Sequence, residues 1–158
     1  MNEAKIEDLS ARTDLVPLLA RWHFAQWGDL TGASTESDYR ALLSRNTSTC
    51  NLPLTLIAIK HDRLLGSVSI VHCDMDVRSD LEPWLSQLYV APQERGRGIG
   101  SALVHAAVER SRQLGFGHFY LYTSGTLPSF YERMGWTRLE VVRYKDKDRT
   151  VMEMRLPG

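Results

Sequence analysis

The chain has 158 residues, 43% apolar and 24% charged, with 19 basic and 19 acidic side chains cancelling to zero net charge. This length predicts one domain over residues 1–158, long enough to bury a core without staples. The even charge excludes the basic excess with which nucleic-acid binders neutralise phosphates. Two cysteines, Cys50 and Cys73, are too few for a disulfide framework and lack the spacing of a metal site. The start, Met1 to Lys5, holds no apolar signal core, and no run approaches ~20 apolar residues, so the expectation is a cytoplasmic protein without a membrane span or metal.

A short strand is predicted near Ala4–Leu9. A helix follows from about Asp14 to Trp27, with Leu15, Leu18, Leu19 and Trp22 at helical spacing and Gly28 as a stop. A second helix, Thr35–Arg45, opens on a cap at Ser34 or Thr35. The period then changes. Leu54–Lys60 and Leu64–Cys73 read as a hairpin across His61-Asp62-Arg63, and Asp74–Pro83 as a charged loop. Trp84–Val90 is the next strand. A helix over about Gly98–Leu114 carries Ile99, Ala102, Leu103, Ala106 and Ala107 on one face and stops at Gly115 and Gly117. His118–Thr123 is a strand and Pro128–Met134 a short helix. Strands over about Trp136–Tyr144 and Thr150–Leu156 flank the polar turn Lys145–Asp148. Alternating helices and strands of this kind predict an α/β or α+β sandwich.

The most informative stretch is Leu88-Tyr89-Val90-Ala91-Pro92-Gln93-Glu94-Arg95-Gly96-Arg97-Gly98-Ile99-Gly100. A strand enters a loop with three glycines at alternate positions, and a helix leaves it. Glycine permits positive φ and close approach of a ligand, successive amides form an anion-binding nest, and the helix start adds unpaired N–H groups. Arg95 and Arg97 add charge, so the loop suits a pyrophosphate; the plainer reading is a tight turn that binds nothing. A P-loop is excluded because Gly100 is followed by Ser101 with no lysine. A dinucleotide fingerprint is disfavoured because the next strand, Phe119-Tyr120-Leu121-Tyr122, carries no acid at its end.

Arg95-Gly96-Arg97-Gly98-Ile99-Gly100 resembles the Gln/Arg-x-x-Gly-x-Gly/Ala motif of the GCN5-related N-acetyltransferase (GNAT) superfamily, and the preceding Leu-Tyr-Val-Ala-Pro is similar to that family's strand ending. Phe130-Tyr131-Glu132-Arg133-Met134-Gly135-Trp136 resembles its second signature. The resemblance covers almost the whole chain, most strongly residues 84–137. It implies a central mixed, mostly antiparallel sheet of about seven strands flanked by about four helices, with a splayed parallel strand pair. It also implies an acetyl-CoA-dependent N-acetyltransferase whose acceptor is an unidentified small-molecule or protein amine.

By that resemblance, Trp84–Val90 and His118–Thr123 are the splayed pair, with the pantetheine arm between them. Leu88, Tyr89 and Val90 line the arm, Ser124 stands where the family often has an asparagine, and the amides of Arg95, Gly96, Arg97, Gly98, Ile99, Gly100 and Ser101 hold the diphosphate. Direct attack of a neutral amine needs proton removal, donors for the oxyanion, and a proton or hydrogen bond for the leaving thiolate. Tyr131 matches the family tyrosine near the sulfur and is the candidate acid; its alternative is a packed core aromatic. The strand glutamate that many members carry aligns here with Trp84, which takes no proton. The base stays open between Glu82, a water chain and His72, with Asp80 nearby; these acids otherwise read as solvated surface. Trp27, Trp84 and Tyr122 are candidates to line the acceptor site, beside Trp22, His23 and Asp29, although Trp22 fits a core position and His23 a satisfied one. A non-catalytic acyl-CoA sensor on the same fold is the competing reading, and a homodimer is left open.

Overall fold

The structure is a computed structural model and describes residues 4–28 and 35–157. Strand β1 is Lys5–Asp8, followed by helices α1 (Val16–Trp27) and α2 (Glu36–Arg45). Helix α1 buries Val16, Leu19, Ala20 and His23, one stripe at helical spacing. Helix α2 opens on a capping box: Asp38 N donates to Thr35 Oγ1 and Thr35 N donates to Asp38 Oδ2, both at 3.1 Å. The cap is therefore Thr35; Ser34 lies outside the described residues.

Strands β2 (Leu54–Lys60) and β3 (Arg63–Val71) form a hairpin whose turn is His61-Asp62 alone, both residues at positive φ (51° and 62°). Then come β4 (Trp84–Val90), α3 (Ile99–Gln113), β5 (His118–Thr123) and α4 (Leu127–Glu132). The closing hairpin is β6 (Thr137–Tyr144) and β7 (Lys147–Arg155). Its turn is again two residues, Lys145 and Asp146, at φ 51° and 63°. This turn is shorter than the polar segment suggests, so β7 begins three residues earlier than the sequence predicts.

The seven strands form one sheet in the order β1-β2-β3-β4-β5-β7-β6. Every neighbouring pair is antiparallel except β4 and β5. Strand β2 is covered on both faces: Leu54, Leu56 and Ala58 pack with Leu103, Val104 and Ala107 of α3, while Ile57 and Ile59 pack with Leu19 of α1 and Tyr39 and Leu43 of α2. Hence it reads in sequence as a continuous apolar run, without alternation. Each large aliphatic side chain fully buried this way contributes about 1.5–3 kcal/mol.

A third cluster joins Met75 to Trp84, Tyr120 and Val151. Met75 is the fully buried apolar residue of a charged loop that also carries Val77 and Leu81, and its burial ties that loop to the sheet. His23 is wholly buried, with Nε2 3.0 Å from Ser67 Oγ, and loss of water pushes its pKa down to about 3. Both cysteines are free and exposed. Among the described residues no helix is long and apolar enough to cross a membrane.

Candidate active site

The site begins with a break in the sheet. Along β3 and β4 the register runs Ser67 with Tyr89 and then Ser69 with Ser86, so β4 carries an extra residue there. Gln87, inside that interval, has φ 54°. The bulge changes the parity of the strand: Leu85 joins the cluster under α3, whereas Tyr89 faces the opposite way, against Trp22, His23 and Trp27. It also turns β4 away from β5. Their parallel pairing is confined to Trp84 with Tyr120, supported by Tyr120 N donating to Pro83 O at 3.0 Å. Beyond that point the strands part and leave main-chain groups for another extended chain.

A cavity of about 840 Å³ opens at this split. Its walls include Ser86, Gln87 and Leu88 of β4 and Leu121, Tyr122 and Thr123 of β5. Ser124 and Tyr131 line it as well, and so do Trp27, His72, Cys73 and Asp74. Tyr131 is supplied by α4, with its ring packed between Phe130 and Trp136 at centroid distances of 5.0 and 6.1 Å. Burial pushes its phenol up to about 12.

Asp74 is the residue that the sequence does not single out. Ser86 Oγ donates to its Oδ1 at 2.9 Å, and burial pushes the carboxyl up to about 7, against smaller opposing effects from Ser86 and Lys145. Reading 74–83 as a solvated loop hides it. The available signal is Met75, since an apolar residue anchored in the core carries its neighbour inward too.

None of residues 89–101 lines the cavity; the glycine loop adjoins it only through α4, which carries Tyr131. Gly96 and Gly98 stand at φ 80° and 83°, and a Cβ at either would meet nothing within 4 Å. Gly98 is the N-cap of α3, so its exposed turn runs directly into the helix start. Gly100 lies close to α4: a Cβ there would sit 3.7 Å from Phe130 Cζ. The loop and the Tyr131 helix are thus neighbours. Arg97 is exposed and 3.6 Å from Glu94, and Arg95 donates from Nε to Val90 O at 2.9 Å with its guanidinium over the Tyr89 ring. That carbonyl is therefore already engaged by the chain.

Other expected site residues fall elsewhere. Glu82 is not part of the cavity wall; it sits exposed outside, hydrogen-bonded to His72 Nδ1. Asp80 is likewise exposed, and its bond to Arg78 holds it below the usual carboxylate range. Trp84 does not line the cavity, contrary to expectation. It is wholly buried, donates from Nε1 to Leu81 O at 2.7 Å, and backs the Tyr120 and Tyr122 rings at 6.0 and 6.3 Å. Tyr122 and Trp27 do face the cavity. Asp29 lies outside the described residues.

A mostly antiparallel seven-stranded sheet, split at its single parallel pair beside a glycine loop and a tyrosine helix, is the fold of the GNAT acetyltransferases. The structure of YncA from Salmonella typhimurium with its cofactor acetyl-CoA superposes with a TM-score of 0.75 over 98% of this chain and 95% of that one, at 16% identity, a likeness of fold. The sequence profile of the acetyltransferase (GNAT) family matches residues 14–136. The chain belongs to that family. An uncharacterized N-acetyltransferase of Methanocaldococcus jannaschii is 33% identical over 84 residues, 48% of this chain and 37% of that protein. N-alpha-acetyltransferase 30 of Schizosaccharomyces pombe is 29% identical over 89 residues, 53% of this chain and 57% of that protein. The chain thus matches less than two thirds of the length of either relative.

Proposed function

We propose that the chain transfers the acetyl group of acetyl-CoA to a primary amine by direct attack. The reading is carried by the parting of β4 from β5 over a cavity that Tyr131 lines, with the glycine loop against the helix that supplies Tyr131. Acetyl-CoA supplies the thioester carbon that the amine attacks. The turn at Gly96 and Gly98 fits a diphosphate, because open space stands where side chains would be and the α3 amides follow at once. The β4 backbone near Leu88, past its one pairing with β5 at Trp84, and the Ser124 side chain fit the amide-bearing arm.

Tyr131 acts on the leaving sulfur. A phenol at about 12 stays protonated at neutral pH and is always ready to donate. Against a thiol near 8.5, full transfer from that phenol runs uphill by roughly 5 kcal/mol. Its main contribution is therefore a hydrogen bond to sulfur as the C–S bond breaks, with the proton following as the nitrogen's own proton replaces it. The test is thiol release from acetyl-CoA with a panel of primary amines. Tyr131→Phe is expected to lower kcat by about 100-fold or more with CoA affinity unchanged. A phenylalanine variant with full turnover contradicts the assignment.

A further inference from the structure

We propose that Asp74 binds the protonated amine of the acceptor and takes its proton before attack. This rests on the acetyl transfer proposed above and adds the residue that prepares the nucleophile.

Three observations place Asp74 there. Its neighbour Met75 is wholly buried beside Trp84, Tyr120 and Val151, which pins the loop and turns Asp74 to the cavity that also contains Tyr131. Ser86 Oγ holds Oδ1 at 2.9 Å, and Ser86 stands next to the bulged Gln87, so the carboxylate is tied to the strand that lines the split. Among the described residues Oδ2 makes no hydrogen bond, which leaves one oxygen for a ligand.

The surrounding charges are consistent with this. Burial raises the phenols of Tyr122 of β5 and Tyr144 of β6; the Asp74 charge raises Tyr122 further, and the charges of Asp76 and then Asp74 raise Tyr144. Lys145 in the β6–β7 turn and Arg149 of β7 are the cations at this end, lying over the Tyr144 and Tyr122 rings at 5.4 and 5.7 Å. Lys145 also acts on Asp74, yet burial outweighs it, and among the cavity-wall carboxylates Asp74 is the one tied to β4 through Ser86. His72, Cys73 and Asp76 complete the titratable groups of the loop at the cavity wall, and His72 is committed to Glu82.

The proton balance is complete. The ammonium gives one proton to the Asp74 carboxylate, and the freed lone pair forms the C–N bond. The C–S bond breaks with its electrons on sulfur, Tyr131 protonates or hydrogen-bonds that sulfur, and the second nitrogen proton resupplies Tyr131. Asp74 then releases its proton to water. A carboxyl raised from 3.8 to about 7 removes an ammonium proton about a thousandfold more favourably than an ordinary aspartate.

The experiment compares wild type with Asp74→Asn, using 1,4-diaminobutane, benzylamine and a glycyl tripeptide as acceptors. The isosteric amide still accepts from Ser86, and CoA affinity with thermal unfolding reports that the variant is folded. In wild type, kcat/KM is expected to rise through an inflection near pH 7. In Asp74→Asn that inflection disappears and kcat/KM falls about 100-fold or more, while CoA affinity holds. Ser86→Ala keeps the inflection, displaced, with a smaller loss. An asparagine variant with wild-type kcat/KM and the same inflection overturns the role of Asp74 and leaves Tyr131-dependent transfer standing. A wild-type protein that binds CoA yet releases no thiol with any of the three amines overturns both.

Discussion

Replacing Asp74 with asparagine should stabilise the folded chain, and more so at pH 8 than at pH 5. Folding raises the Asp74 carboxyl from its ordinary 3.8 to about 7. The folded state therefore holds that proton more tightly than the unfolded chain. The contribution to stability is fully present below pH 3.8 and is lost as the pH rises through about 7. With these two values, ionisation opposes folding by about 4 kcal/mol at pH 8 and by about half of that or less at pH 5. Cavity water screens part of the charge, so the asparagine variant should gain about 1–2 kcal/mol between the two conditions. At 2–4 °C per kcal/mol for a chain of this size, that is a Tm advantage larger by about 2–8 °C at pH 8. Thermal unfolding of both proteins at the two pH values measures it. An advantage that is constant with pH, or larger at pH 5, refutes the claim that Asp74 is desolvated.

Substitutions at two glycines test the backbone. Gly98→Glu puts a side chain and a negative charge into open space at the α3 start, and should weaken CoA binding by more than about tenfold, equivalent to 1.4 kcal/mol. Gly98→Ala carries only the strain of its φ of 83°, about 1–2 kcal/mol, and should keep binding CoA; calorimetric titration that finds the two variants alike contradicts the placement. Gly66→Ala would set a Cβ 2.4 Å from the Tyr89 carbonyl oxygen and 3.2 Å from Leu103 Cδ1, pressing β4 away from β3. Urea unfolding should show a loss of about 1–3 kcal/mol, and an unchanged midpoint argues against this strand spacing.

The sequence carried the element order because periodicity and punctuation are local. Helix α1 shows its period, although the buried stripe is Val16, Leu19, Ala20 and His23, with Leu15, Leu18 and Trp22 at its half-buried margin; α2 shows its cap, and the glycines between β4 and α3 announce a turn of unusual shape. It did not carry the bulge at Gln87. Nothing in Ser-Gln-Leu favours positive φ, and the extra residue is defined only by what β3 places opposite it. Glu82 and Trp84 show a second limit. Glu82 precedes β4 and ends exposed against His72, while Trp84 shares a face with Ser86 but is covered by Met75 and ends wholly buried, contacts that a count along the chain does not reveal. Asp74 is a third case. A carboxylate in a charged loop reads as solvated, and its character depends on Met75 and Ser86, one a core contact and the other twelve positions away.

The central claim is that main-chain donors from Arg95 to Ser101 grip the diphosphate of acetyl-CoA and lay its thioester in the β4–β5 split beside Tyr131. A crystal structure of the chain with CoA tests it most directly. It should show the diphosphate against those amides and the sulfur within hydrogen-bonding reach of the Tyr131 hydroxyl. Diphosphate density away from this turn, or a Tyr131 ring facing away from the sulfur, would contradict it.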